Sequence, residues 1–202
     1  MKHKRLIVGL TGGIGSGKSE ALKAFAGLGA GTLCLDELAH QVLRRGGEAF
    51  GPVLRAFGPA LLGRDGEFDR KALASVVFVD PRLRRRLERL THPAILAAMR
   101  RRVRRQRRGV LVIDAPLLFE AGLEGEFDLT VVVTAGLGER LRRVRRRGGM
   151  TASQTRRRLA AQLPQADKAR RADAAIANDG TLRELRRKVR EYYRAFELMH
   201  GG

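Results

Sequence analysis

The chain has 202 residues, a formal charge of +20 and a single cysteine. That length fits one domain with a sizeable core, Cys34 alone excludes an intrachain disulfide or a cysteine-based zinc cluster, and the apolar runs are strand length, far short of a membrane span. The charge invites a polyanion partner, but 34 of the 41 basic residues are arginines spread over helical stretches (82–89, 100–108, 140–147 and 183–194) without interleaved aromatics, so solvated helix faces explain most of them and no dedicated nucleic-acid partner is expected.

Residues 5–10 read as a short apolar strand, and a helical pattern opens at Ser19. Basic residues 1–5 precede an apolar run that dissolves at once into glycines, which does not make a secretory signal; the cytoplasm is the default. Between strand and helix, Gly12-Gly13-Ile14-Gly15-Ser16-Gly17-Lys18-Ser19 fits G-x-x-x-x-G-K-[ST], the loop that wraps nucleotide phosphates. Gly12, Gly15 and Gly17 can take positive φ, so that successive amides and the helix start point at phosphate oxygens. Lys18 supplies a cation to the β- and γ-phosphates and Ser19 a hydroxyl ligand to Mg²⁺. ATP and oxygen-bound Mg²⁺ are the implied co-substrate and metal.

A second strand over 31–36 ends in Asp36. In a parallel sheet this carboxylate faces the ligand crevice, where it could serve as a general base or simply cap the next helix. Residues 36–108 show helical periodicity and few strand signals, more than one crossover helix needs, and predict a helical subdomain. The third strand, 109–113, leads into Asp114, where P-loop proteins often hold an Mg²⁺-directed carboxylate. The following Pro116-Leu117-Leu118-Phe119-Glu120 reads by itself as a packing turn. After a fourth strand over 127–133, residues 136–170 carry the pair Gly148-Gly149, candidate caps Thr151 and Ser153, and an arginine-rich helix. That order suggests a lid bringing arginines to a transferring phosphoryl group. The fifth strand is 174–177, and the next residues lack the N-K-x-D signature of a regulatory GTPase. The alternation predicts a single α/β domain over 1–202 with a parallel sheet.

Leu10 to Ser19, Asp36 with Ala39-His40, Leu90-Thr91-His92-Pro93-Ala94-Ile95, Pro116 to Glu120, Arg143 with Arg147, Gln162, and Ala172-Asp173 through Ile176 to Asn178 resemble the dephospho-CoA kinase family in order and spacing, nearly end to end. The resemblance implies transfer of the ATP γ-phosphoryl group to the ribose 3′-hydroxyl of dephospho-CoA, giving coenzyme A and ADP. It implies a P-loop kinase core with a parallel five-stranded sheet, a helical CoA-binding subdomain over about 36–108 and a lid over about 136–170. It further implies that Asp36 is the base, that His92 and the turn Pro116, Leu117, Leu118, Phe119 and Glu120 line the acceptor side, and that Arg143 and Arg147 belong to the lid. Taken alone, His92 before Pro93 reads as a helix-boundary or core histidine. Two positions depart from the family's pattern: Cys34 stands where an aspartate is usual, and Arg140 where a glutamine is. The rival readings are another P-loop kinase with a different acceptor pocket and an ATP-dependent nucleic-acid-binding protein.

Overall fold

The computed structural model describes residues 5–106, 109–148, 152–160 and 162–201. Its strands are β1 (Leu6–Gly12), β2 (Gly31–Cys34), β3 (Val110–Asp114), β4 (Leu129–Thr134) and β5 (Ala174–Ala177), forming one parallel sheet in the order β2-β3-β1-β4-β5. Strands covered on both faces read as near-continuous apolar runs, and the runs in β1, β3 and β4 are of that kind. The central β1 pairs Leu6 with Val110 on one side and Val8 with Leu129 on the other. Because all the strands run the same way, Gly12, Asp114 and Thr134 finish on one edge of the sheet, the edge where α/β proteins bind ligands.

The helices are α1 (Lys18–Gly27), α2 (Leu35–Val42), α3 (Phe50–Phe57), α4 (Arg70–Val79), α5 (Pro81–Arg105), α6 (Leu137–Arg147), α7 (Ala152–Ala160), α8 (Gln165–Arg171) and α9 (Leu182–Gly201). None among the described residues is long and apolar enough to cross a membrane. The chain divides into two compact units, residues 1–33 with 106–202, and residues 34–105. In the first, Val8, Leu10, Val112, Val131 and Val133 of the sheet pack with Ala21 and Phe25 of α1 and Leu185, Val189 and Phe196 of α9. The Phe25 and Phe196 rings stack at 6.0 Å.

The second unit holds α2 to α5 around Val42, Ala49, Val53, Phe68 and Ala94. Its α4 is capped by Asp69, whose carboxylate accepts from the amides of Lys71 and Ala72 at 2.8 and 3.2 Å. The helix boundary expected at His92-Pro93 is not there, since α5 runs unbroken through Pro93. Proline removes one ladder hydrogen bond and crowds the turn before it, but Thr91, Ala94, Met99 and Val103 are buried along the same helix and hold it in place. The Thr91 hydroxyl donates to the Leu87 carbonyl at 2.9 Å, a bond within that turn.

Two consequences can be measured. Phe25 is fully buried, so Phe25→Ala lowers the unfolding free energy in urea by about 3–5 kcal/mol. At the β4–β5 edge, Asp173 accepts from the hydroxyl and the amide of Thr130, both at 2.7 Å, and these bonds hold its carboxyl below the usual carboxylate range. A depressed folded pKa stabilises above the unfolded value of about 3.9 and loses that contribution as pH falls through the folded value. Stability measured below about pH 4 therefore falls less steeply in Asp173→Asn than in the parent.

Candidate active site

The glycine-rich loop connects β1 to α1, and its shape follows from two positions. Gly17 has φ of 94° at the N-cap of α1, a conformation that disfavours any side chain, and a Cβ there would strike the Asn178 amide. A Cβ on Gly13 would lie 2.5 Å from Arg140 Nη2. The first amides of α1, on Lys18 and Ser19, have no intrahelical partner by the geometry of a helix start and carry the positive end of the helix dipole. An anion is what such a concavity accepts.

The loop is held by its carbonyls. Arg140 Nε donates to Ile14 O at 2.9 Å, Asn178 Nδ2 to Ser16 O at 2.7 Å, and Arg143 Nη1 to Ser16 O at 3.3 Å. Arg143 is fixed in turn by Glu139, whose Oε1 lies 2.7 Å from its Nε. Arg140, one of the departures from the family's pattern, is buried, and desolvation lowers its pKa; an arginine starts so far above neutrality that it stays charged. The other end of the loop meets Gln162, whose Oε1 accepts the Ile14 amide at 3.2 Å.

Lys18, the first residue of α1, forms an ion pair with Asp114 at the end of β3. The turn after β3 is anchored by buried polar contacts. Thr11 Oγ1 donates to Pro116 O at 3.2 Å, and the fully buried Lys168 Nζ donates to the same carbonyl at 3.0 Å and pairs with Glu120 Oε1 at 2.8 Å. Glu120 Oε1 also accepts the Leu163 amide at 2.8 Å, whereas its Oε2 is buried without a partner. Leu118 and Phe119 point into the core; Leu117 is 49% exposed.

Arg147, at the end of α6, is exposed and has no partner among the described residues. It lines a depression of ≈ 320 Å³ with Gly17, Arg143, Asn178, Gly180 and Leu185, among others. Of the candidate hinge and cap residues, Gly149 and Thr151 lie outside the described residues, and Ser153 is already within α7.

In the second unit, Asp36 is not at a strand end. β2 stops at Cys34, which takes the N-cap position of α2 without a side-chain bond to the helix's first amides, and Asp36 is exposed in the first helical turn. The apolar residue Leu35 fits a strand reading and a helical one equally, and the helical spacing of the buried Leu35, Leu38 and Val42 prevails. Asp36 thus favours α2 through the helix dipole rather than by capping it. His92 is half-buried on α5.

No group of three or more His, Cys, Asp or Glu suited to a metal occurs among the described residues. Lys168, Glu139 and the anchoring role of Asn178 escape a sequence reading because their partners are distant in the chain. One signal was present for Lys168: in a chain whose basic residues are overwhelmingly arginine, a lysine is unusual.

The dephospho-CoA kinase family model matches residues 6–184. The dephospho-CoA kinase of Geobacter sulfurreducens is 43% identical over 190 residues, covering 93% of this chain and 96% of that protein. A solved Thermus thermophilus protein superposes with a TM-score of 0.83 at 35% identity, over 94% of this chain and 96% of its own. The dephospho-CoA kinase of Campylobacter jejuni, at 24% identity and a TM-score of 0.70 over 94% of this chain and 96% of its own, shares the fold.

Lys18 is the cation at the mouth of the loop, so Lys18→Ala should reduce turnover of ATP by ~10²-fold or more. Rates from a coupled ADP-release assay are the readout, with thermal melting as the control for folding; wild-type turnover would remove the loop from the active site.

Proposed function

The chain belongs to the dephospho-CoA kinase family and phosphorylates dephospho-CoA at the expense of ATP in coenzyme A biosynthesis; from that premise we propose how its residues share the reaction. The Lys18–Asp114 pair carries this reading, because it holds a cation and a buried carboxylate together beside the glycine loop. The loop from Gly12 to Ser19 cradles the ATP phosphates, and Lys18 moves from Asp114 to the β- and γ-phosphate oxygens. The remainder of the nucleotide extends into the depression beside Gly17 and Asn178.

One hydroxyl, Ser19, and one carboxylate, Asp114 acting directly or through water, are too few for an all-protein cage. They suit Mg²⁺, which takes one or two protein groups together with substrate phosphates. When bound, Mg²⁺ neutralises charge on the β- and γ-oxygens.

Asp36 acts as the general base toward the ribose 3′-hydroxyl. Its carboxylate takes the hydroxyl proton as the bond from O3′ to the γ-phosphorus forms; the bond from that phosphorus to the bridging oxygen breaks, and its electron pair leaves with ADP. His92 and the turn from Pro116 to Glu120 serve the acceptor side, with Leu117 the apolar group in solvent and Leu118 and Phe119 setting the shape of the turn from within. Arg143, committed to Glu139 and the Ser16 carbonyl, braces the loop. Arg147 is free to meet the transferring group as residues 136–170 close over it. The cytoplasm is the compartment this reading assigns.

Two substitutions test the division. Asp36→Asn keeps size and helix but cannot accept the proton, so kcat falls ~10²–10⁴-fold with ATP binding near normal; a dipole role alone predicts only ~0.3–1 kcal/mol of lost stability and parental turnover. Arg147→Ala lowers kcat ~10-fold or more and leaves dephospho-CoA binding unchanged, as single-turnover rates and calorimetric titration would show.

A further inference from the structure

The Ile14 amide is the one amide of the glycine loop that a side chain occupies among the described residues, and the occupant is Gln162 Oε1 at 3.2 Å. An N–H can only donate, so the oxygen of this carboxamide must face the loop and its NH₂ must face away. That NH₂ has no partner among the described residues and is not sealed from solvent. The backbone around it is fixed on both sides. The Gln162 amide donates to Leu159 O at 3.3 Å, closing the end of α7, and the Leu163 amide donates to Glu120 Oε1, which the buried Lys168 holds. Gln162 therefore stands at the foot of the arginine-bearing segment with a donor aimed out beside the phosphate loop.

We infer that Gln162 is a further catalytic residue: its Oε1 keeps the Ile14 amide in place while its Nε2 donates to an oxygen of the terminal phosphoryl group of ATP. The inference rests on the reading of residues 12–19 as the phosphate loop. Only a side chain with both an acceptor and a donor serves this position. A carboxylate accepts from the amide but repels phosphate, and a lysine or arginine binds phosphate but cannot accept. The terminal group is the one addressed because Gln162 lies two residues beyond the end of α7, within the segment 136–170 that the proposed function closes over the group in transfer.

Gln162→Glu is the discriminating variant, since it preserves length and the acceptor for Ile14 while replacing the donor with negative charge. With ATP, Mg²⁺ and dephospho-CoA, its kcat falls ~10²-fold, as for loss of one preorganised donor, while the KM for dephospho-CoA and the melting temperature stay at parental values. Gln162→Leu, lacking donor and acceptor alike, loses at least as much. If Gln162 only braces the loop, the charge introduced in Gln162→Glu raises the KM for ATP while kcat at saturating ATP stays parental, and that result overturns the inference. Lys18→Ala assayed alongside separates the two readings. Inactive Lys18→Ala with fully active Gln162→Glu leaves the phosphate loop standing and discards Gln162, whereas fully active Lys18→Ala discards both.

Discussion

The proposed phosphate loop leaves the first amides of α1 to an anion and is held in shape by other contacts. Much else in the first unit answers that constraint. The Ser16 amide closes a turn on the Gly13 carbonyl at 3.0 Å, and side chains grip the loop's carbonyls, with Arg140 on Ile14 and with Asn178 and Arg143 on Ser16. These donors come from α6 and from the residue after β5, far along the chain, so the loop is shaped by parts of the fold that the sheet must first bring alongside. Removing backbone flexibility before the ligand arrives is what makes such a cradle effective, because the ordering is complete when charge begins to move. Arg140 illustrates the cost. Its guanidinium is largely taken out of water, with the Ile14 carbonyl accepting from its Nε, and its lowered pKa registers that desolvation.

The turn after β3 meets a second demand with a different device. It carries apolar side chains into the core and must still hold a defined shape at the edge of the sheet, and Lys168 does this from inside. A fully buried ammonium is tolerated only with good partners, and here they are the Glu120 carboxylate and the Pro116 carbonyl. Because Glu120 Oε1 also receives the Leu163 amide, the turn and the segment after α7 share one oxygen. Movement of either is felt by the other.

Much of this was legible in the sequence. The glycine spacing with Lys18 marked the loop between β1 and α1, and the alternation of apolar runs with helical patterns marked the five strands and their parallel class, most plainly in β1, β3 and β4, where burial on both faces leaves little room for polar residues. What failed was local. The sequence places Asp36 at a strand end because Leu35 suits two patterns, and only the packing of Leu38 and Val42 selects between them. Taken alone, His92 before Pro93 reads as a helix-boundary or core histidine; the boundary alternative fails because the rule for proline is a backbone rule, and tertiary burial of Thr91 and Ala94 overrides it. The loop-bracing set was invisible for a third reason. Asn178 and Ser16 lie 162 residues apart, and no periodicity reports a contact at that range.

The strand order also fixes a sequence of events at the ribosome. β1 is made first, yet both of its neighbours come late, Leu6 pairing with Val110 and Val8 with Leu129. As the chain grows, the helical unit of residues 34–105 emerges complete with its own core before β1 has any partner for its two hydrogen-bonding edges. An apolar strand left waiting in this way is open to pairing with other chains. In this protein the interval is set by the length of the inserted helical unit, so lengthening that unit would prolong the exposure of β1 without altering the finished sheet.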